Sequence, residues 1–216
     1  MPLLALDTSA AQCAAALLSD DGTLTEIVEP MAKGQAERLL PLAQDILDSA
    51  ATGWDDLDAL AVGIGPGNFT GIRIAVSAVR GLALGLDIPA IGVSGFAAHA
   101  HVHGTPCLIA LDARRDRAYV QGYGLDTLAD PTLMTLDGLT ALDLPSGVAV
   151  LSDIPDLAAR WPGARIAPVG PAPIAAIAQV ARAKGASPGP PPAPLYLRPA
   201  DAALPATPPV VILDDA

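Results

Sequence analysis

The chain opens with short apolar runs separated by polar turns. Residues 3–7 and 13–19 are mostly apolar, Asp20-Asp21-Gly22 marks a turn, and residues 25–29 read as a third strand. Three such runs within thirty residues predict an antiparallel meander. The period then changes. Leu39, Leu40, Ala43, Ile46 and Leu47 recur at helical spacing within residues 35–51. Pro41 falls inside this stretch, so the helix is expected to start near residues 38–40 or to bend there. An apolar run at 59–64 predicts a strand. A helix from about 70 to 86 places Ile72, Val76, Val79 and Ala83 on one face. Residues 89–93 read as a fifth strand, and Ser94 as the cap of a short helix ending at Gly104.

The order β-β-β-α-β-α-β-α is the ribonuclease-H-like pattern, the half-unit of the actin/Hsp70/sugar-kinase superfold, in which helical crossovers make the later strands parallel. From residue 105 onward the chain reads as a reduced second copy. Strands are expected at 107–111 and 118–123, with Asp112 near a turn as Asp7 is in the first copy. Shorter elements follow at 133–136 and 148–151, then an Ala-rich helix at 173–183. Residues 184–194 are Pro/Gly-rich without periodicity, a linker or mobile loop. The expected fold is thus α/β with two ribonuclease-H-like lobes, 1–104 and 105–198, and a frayed tail at 199–216.

Residues 65–73, Gly-Pro-Gly-Asn-Phe-Thr-Gly-Ile-Arg, lie between a predicted strand and a predicted helix. Three glycines and a proline mark backbone held where side chains would not fit. Asn68 or Thr70 is a candidate cap for the helix. A dinucleotide fingerprint from Gly65 and Gly67 needs a glycine at 70, where Thr70 stands, and a P-loop needs a lysine that this segment lacks. A purely structural turn is the plain alternative.

Together with Ile74 this segment resembles the Gly-Pro-Gly-Ser-Phe-Thr-Gly-Leu-Arg-Ile signature of the TsaB (YeaZ) family, with Asn68 in place of serine. Leu4-Ala5-Leu6-Asp7-Thr8-Ser9 resembles the opening strand and turn of that family. Leu111-Asp112-Ala113-Arg114-Arg115 with Tyr119 resembles its mid-chain segment, and Pro194-Leu195-Tyr196-Leu197-Arg198 its C-terminal one. The four matches run in order from residue 4 to 198.

Charge narrows the function classes. Twelve basic against 23 acidic residues give a net charge of −11 among 216 residues. Phosphate-backbone binding needs clustered Lys and Arg, so broad direct contact with nucleic acid is disfavoured. Hydrophobic residues make up 51% and aromatics 3%, so Ala, Leu, Val and Ile must fill the core. Cys13 and Cys107 sit in apolar runs and read as core thiols. No basic leader region precedes the first apolar run, and no membrane span is evident, so a cytoplasmic location is expected.

Candidate chemistry is sparse. Asp7-Thr8-Ser9 stands where kinases of this superfold hold a metal-linked aspartate and a phosphate-contacting hydroxyl, which makes these residues weak nucleotide-binding candidates. The competing reading is an Asx-type turn, which is favoured because no convincing second phosphate loop is present. Asp112 is a candidate to face Asp7 across a cleft. His99 and His103 share a helical face, but no third ligand or second shell is identified, so a solvated His-rich helix end is preferred to a metal site. Ser94 lacks a nucleophile elbow. Tyr119, Tyr196 and Arg198 read as lobe-packing residues. No catalytic residue and no metal ligand is assigned.

Surfaces are the positive candidates. Ala75, Ala78, Gly81, Ala83 and Gly85 give the 70–86 helix a smooth flank, and Arg73 and Arg80, seven apart, are placed to meet acidic groups of a partner. The candidate partner interface comprises Leu39, Ile46, Gly65, Pro66, Gly67, Asn68, Phe69, Thr70, Gly71, Arg73, Val76, Ala78 and Arg80. The resemblance implies a non-catalytic subunit of the machinery that makes threonylcarbamoyladenosine beside the tRNA anticodon. Its implied partners are a catalytic TsaD-type subunit, a TsaE-type ATPase and, when alone, a second copy of itself; tRNA is met only indirectly. No intrinsic cofactor is implied, and ATP or ADP with Mg only in the complex. The alternative from another class is a small phosphotransferase, or a metal-dependent TsaD-like transferase active on its own.

Overall fold

In the computed structural model, residues 1–185 and 189–197 are described. Strands β1 (Leu3–Asp7), β2 (Gln12–Leu18), β3 (Leu24–Pro30), β4 (Ala59–Gly63) and β5 (Ala90–Val93) form one sheet in the order β3-β2-β1-β4-β5. The meander is antiparallel, while β4 and β5 join in parallel. Helices α1 (Gln35–Ser49), α2 (Phe69–Leu86) and α3 (Gly95–His103) supply the crossovers and the exit. The second sheet holds β6 (Cys107–Asp112), β7 (Arg117–Tyr123), β8 (Thr132–Thr135), β9 (Ala149–Ser152) and β10 (Arg165–Pro168) in the order β10-β9-β6-β7-β8. Its pairing repeats the first strand for strand, with β6 in the place of β1. The crossover helices have shrunk to the short α4 (Leu136–Thr140) and α5 (Leu157–Arg160), and α6 (Ile174–Lys184) follows.

Side-chain alternation sorts the first sheet into two unlike faces. Leu4, Leu6, Cys13, Ala15, Leu17, Leu60 and Val62 point to the side covered by α1 and α2. Ala5, Ala14, Ala16, Ala59 and Ala61 point to the other, where α6 packs with Ile174, Ile177, Ala178 and Ala181. An alanine-covered face lets an alanine-rich helix approach closely. Although α6 follows the second sheet in the chain, it closes the first lobe. Phe96 and Ala100 of α3 pack in return against Cys107, Ile109 and Leu111 of β6.

Helix α1 starts at Gln35 rather than near residues 38–40, and Pro41 lies in its interior. Pro41 is solvent-exposed, so the one carbonyl it leaves unbonded, four residues back, can meet water. Helix α2 begins one residue before the expected start, with Asn68 as the cap. Cys13 and Cys107 are buried free thiols. The short elements α4, α5 and β10 carry too little periodic sequence to have been expected. The expected tail at 199–216, Arg198, and residues 186–188 of the 184–194 segment lie outside the described residues.

Candidate functional site

The turn between β4 and α2 interlocks with the turn after β1. The Asn68 side chain accepts from the Gly71 N–H at 2.8 Å, which caps α2. The Asn68 N–H itself donates to the Ser9 carbonyl at 2.7 Å, and the Thr8 hydroxyl donates to the Gly71 carbonyl at 2.6 Å. Glycine is required where these backbones touch. A Cβ on Gly71 would stand 1.9 Å from the Thr8 carbonyl oxygen, and one on Gly67 2.4 Å from that of Ser9. The Gly65 carbonyl accepts from the Gly95 N–H at 2.8 Å, which ties the turn to α3 as well.

Asp7 lies beneath this junction. It is fully buried, with Oδ2 accepting from the Ser9 N–H at 3.2 Å and the Ser9 hydroxyl at 3.0 Å. That is the Asx-type turn. Oδ1 has no hydrogen-bond partner among the described residues, and it presses on Gly63, where a Cβ would come within 2.0 Å. Burial pushes the carboxyl up to about 6, against the pull of the two Ser9 hydrogen bonds. Thr8 is equally buried and Ser9 nearly so. Asp7 Oδ1 aside, the polar side-chain atoms of the three nucleotide-binding candidates are thus committed to the chain's own groups, and all three residues are buried. At the matching place in the second lobe, Asp112 is half-buried. It accepts from the Arg114 N–H at 2.7 Å, and its own N–H donates to Asp153 at 2.7 Å. Arg114, Arg115 and Asp116 that follow are all left-handed, with φ of 62°, 55° and 52°.

The histidines do not converge. His99 is buried, contrary to the expected solvated helix end, and burial holds its imidazole below the usual range. It sits in the layer between the sheets, where α3 meets both lobes. His101 Nε2 meets Gln179 at 3.0 Å, and His103 is exposed. Among the described residues no group of three His, Cys, Asp or Glu side chains could hold a metal ion.

The outer face of α2 is the built feature. Phe69 and Tyr196, each about half exposed, stand with ring centroids 5.5 Å apart. The Arg73 guanidinium lies 3.6 Å above the Phe69 ring, and its Nε donates to the Tyr196 hydroxyl at 2.7 Å. An open cleft of about 460 Å³ follows, lined by Arg73, Val76, Ser77, Arg80, Pro194 and Tyr196. Beside it, Leu40, Ala78, Gly81, Leu82, Gly85 and Leu86 line a shallow apolar groove of about 500 Å³. Leu84 is 86% exposed at the end of the stripe.

This sorts the expected interface residues. Gly67, Asn68, Phe69, Thr70, Arg73 and Arg80 are exposed, and Pro66 and Ala78 are half-buried. Leu39, Ile46 and Val76 do not belong to the surface. They are 1%, 0% and 3% exposed because they turn toward β1 and β4, and they form the core under the face. Gly65 and Gly71 are buried backbone of the turn. Ala75 and Ala83 of the expected smooth flank are core as well, while Gly81 and Gly85 remain outside. Tyr196, expected to pack between lobes, is a surface residue of this site. Leu40, Ser77 and Leu84 were missed. The spacing 73, 77, 80, 84 is one helical stripe and contains the signal for the last two.

The family model described as TsaD, tRNA N6-adenosine threonylcarbamoyltransferase, matches residues 27–159. The tRNA threonylcarbamoyladenosine biosynthesis protein TsaB of Escherichia coli is 40% identical over 131 residues, 58% of this chain and 56% of that protein. The chain thus spans little more than half the length of this curated relative. The solved structure of YeaZ from Pseudomonas aeruginosa superposes with a TM-score of 0.75 at 30% identity, over 91% of this chain and 99% of that one. Component A of the Acidaminococcus fermentans (R)-2-hydroxyglutaryl-CoA dehydratase, at 9% identity, shares the fold with a TM-score of 0.53 over 85% of this chain and 98% of that one. The repeated sheet topology, the interlocked glycine turn and these likenesses agree: the fold is the two-lobed α/β superfold of actin, Hsp70 and sugar kinases, and the chain belongs to the TsaB (YeaZ) family.

Proposed function

We propose that this chain is a non-catalytic docking subunit of the system that forms threonylcarbamoyladenosine on tRNA, and that its partner is the catalytic TsaD-type subunit. The observation that carries this reading is the contrast between two places in one lobe. The superfold's phosphate-binding turn is filled by its own hydrogen bonds around buried Asp7. The face beside it presents Phe69, Arg73 and Leu84 of α2, with Leu40 of α1 and Tyr196 of the C-terminal segment, to solvent. Apolar side chains rimmed by polar ones on one face mark association surfaces. The likeness to proteins named for threonylcarbamoyladenosine biosynthesis supplies the pathway. The net charge of −11 leaves contact with tRNA to the partner. In the absence of that partner the same face pairs with a second copy, and a TsaE-type ATPase joins the complex through the catalytic subunit. Nucleotide and Mg enter only with the assembly, and the protein works in the cytoplasm.

The test is direct. The purified chain is mixed with the TsaD-type subunit of the same organism and followed by size-exclusion chromatography with light scattering. Threonylcarbamoyl transfer to tRNA is then measured for each alone and for both. A co-eluting complex, with transfer that needs the catalytic subunit and is raised by this chain, is expected. Turnover by this chain alone, or no complex, refutes the reading.

A further inference from the structure

We propose that the cleft between Arg73, Arg80 and Tyr196 binds carboxylates, and that its occupant is an acidic segment on the surface of the docking partner. This rests on the docking reading given above and specifies its chemistry. The argument begins with Arg73. One face of its guanidinium is stacked at 3.6 Å on Phe69, and Nε is held by the Tyr196 hydroxyl at 2.7 Å. Both constraints fix the plane of the group and leave the two Nη nitrogens as a free fork. A planar fork accepts a carboxylate in two parallel hydrogen bonds. Because the side chain is already ordered, little rotamer freedom is lost on binding.

Arg80 stands two turns farther along the same stripe, at roughly 10 Å by helical rise, and lines the same cleft. Neither arginine has an ion pair among the described residues, and no acidic residue lines the cleft. In a chain of net charge −11, two such cations on one face are an exception to the whole. Three other arginines carry acidic partners of their own. Arg38 binds Glu29 and Asp45, Arg114 binds Asp112, and Arg160 binds Asp116.

A phosphate ligand fits less well. At the start of α2 the Asn68 and Gly71 N–H groups are already given to Ser9 and Asn68, and no residue of that first turn lines the cleft. A second copy fits less well too. The stripe Arg73, Ser77, Arg80 and Leu84 holds no acid, so a two-fold contact centred on it sets arginines against arginines. Self-association is therefore the weaker use of the face, and an acidic partner displaces it.

The test measures affinity for the TsaD-type subunit by calorimetry at two salt concentrations. The variants are Arg73→Glu, Arg73→Lys and Arg80→Glu, with Arg165→Glu on exposed β10 as the control. Thermal melts establish that each is folded. Arg73→Glu is expected to weaken binding on the order of 100-fold, and to flatten the salt dependence. Arg73→Lys keeps the charge without the fork and is expected to weaken it about tenfold. A charge-reversed acid on the partner should restore binding to Arg73→Glu. Wild-type binding with no effect of Arg73→Glu or Arg80→Glu overturns the carboxylate site and leaves the docking reading standing. No wild-type binding overturns both. Titration of ADP with Mg into the chain alone covers the phosphate alternative: binding that Arg73→Glu abolishes, with partner affinity unchanged, overturns the proposal in favour of a nucleotide.

Discussion

Asp7→Asn separates the charge of the buried carboxylate from its shape. In the folded chain Asp7 is sealed under the two interlocked turns, and its acid is pushed from the ordinary 3.8 up to about 6. Burial is the cause, and the hydrogen bonds from Ser9 offset only part of it. The folded state therefore holds this proton more tightly than the unfolded chain. Its contribution is fully present below about pH 4 and is lost as the pH rises through 6. At 1.36 kcal/mol per pH unit the complete loss is about 3 kcal/mol, of which about 2 kcal/mol falls between pH 4.5 and 7.5. Asparagine keeps the shape and the acceptor for Ser9 but cannot ionise. Urea unfolding of both proteins across that range is the assay, since the many surface carboxylates titrate alike in each and cancel in the difference. The stability of Asp7→Asn minus that of wild type should climb by about 2 kcal/mol from pH 4.5 to 7.5. A difference independent of pH would show that Asp7 ionises freely in the folded chain, and the account of a sealed turn would fall with it.

Three further outcomes are expected. Gly71→Ala drives a methyl group into the Thr8 carbonyl, so it should cost on the order of 3 kcal/mol in chemical denaturation and lower expression of folded protein. Asn68→Ala removes the cap of α2 and should cost about 1 kcal/mol, visible as a lower melting temperature with the fold retained by circular dichroism. Leu84→Glu should leave stability within about 0.5 kcal/mol while abolishing association seen by light scattering, whereas Val76→Glu, at a core position, should cost several kcal/mol and unfold the chain.

Much of the fold was legible because its signals are local. The unbroken apolar runs of β1, β2 and β4, the cap at Asn68 and the cap at Ser94 are written within a few residues. The repeat of the first sheet by the second showed in strand order although its crossover helices had shortened. What sequence could not rank was which side of a helix faces inward. Val76 and Leu84 are both apolar residues of α2, yet one is core and the other is 86% exposed, because only the neighbouring sheet decides. Tyr196 was misread for a similar reason. It meets Arg73 across 123 positions of chain, through a segment with no periodicity of its own. The burial of Asp7 was likewise hidden, since the residues that cover it come from the distant turn at 65–71.

The placement of α6 bears on how the protein is made. The helix that seals the alanine face of the first sheet is translated only after both sets of strands have been synthesised. Its Arg182 then reaches back to the carbonyls of Ser19 and Asp20, and farther along the chain the Leu195 N–H closes on Ile64. A nascent chain that has finished its first hundred residues still shows one bare side of that sheet. The lobes therefore mature together at the end of synthesis, and a stop codon near residue 170 would leave an adhesive, unfinished product rather than a shorter working one.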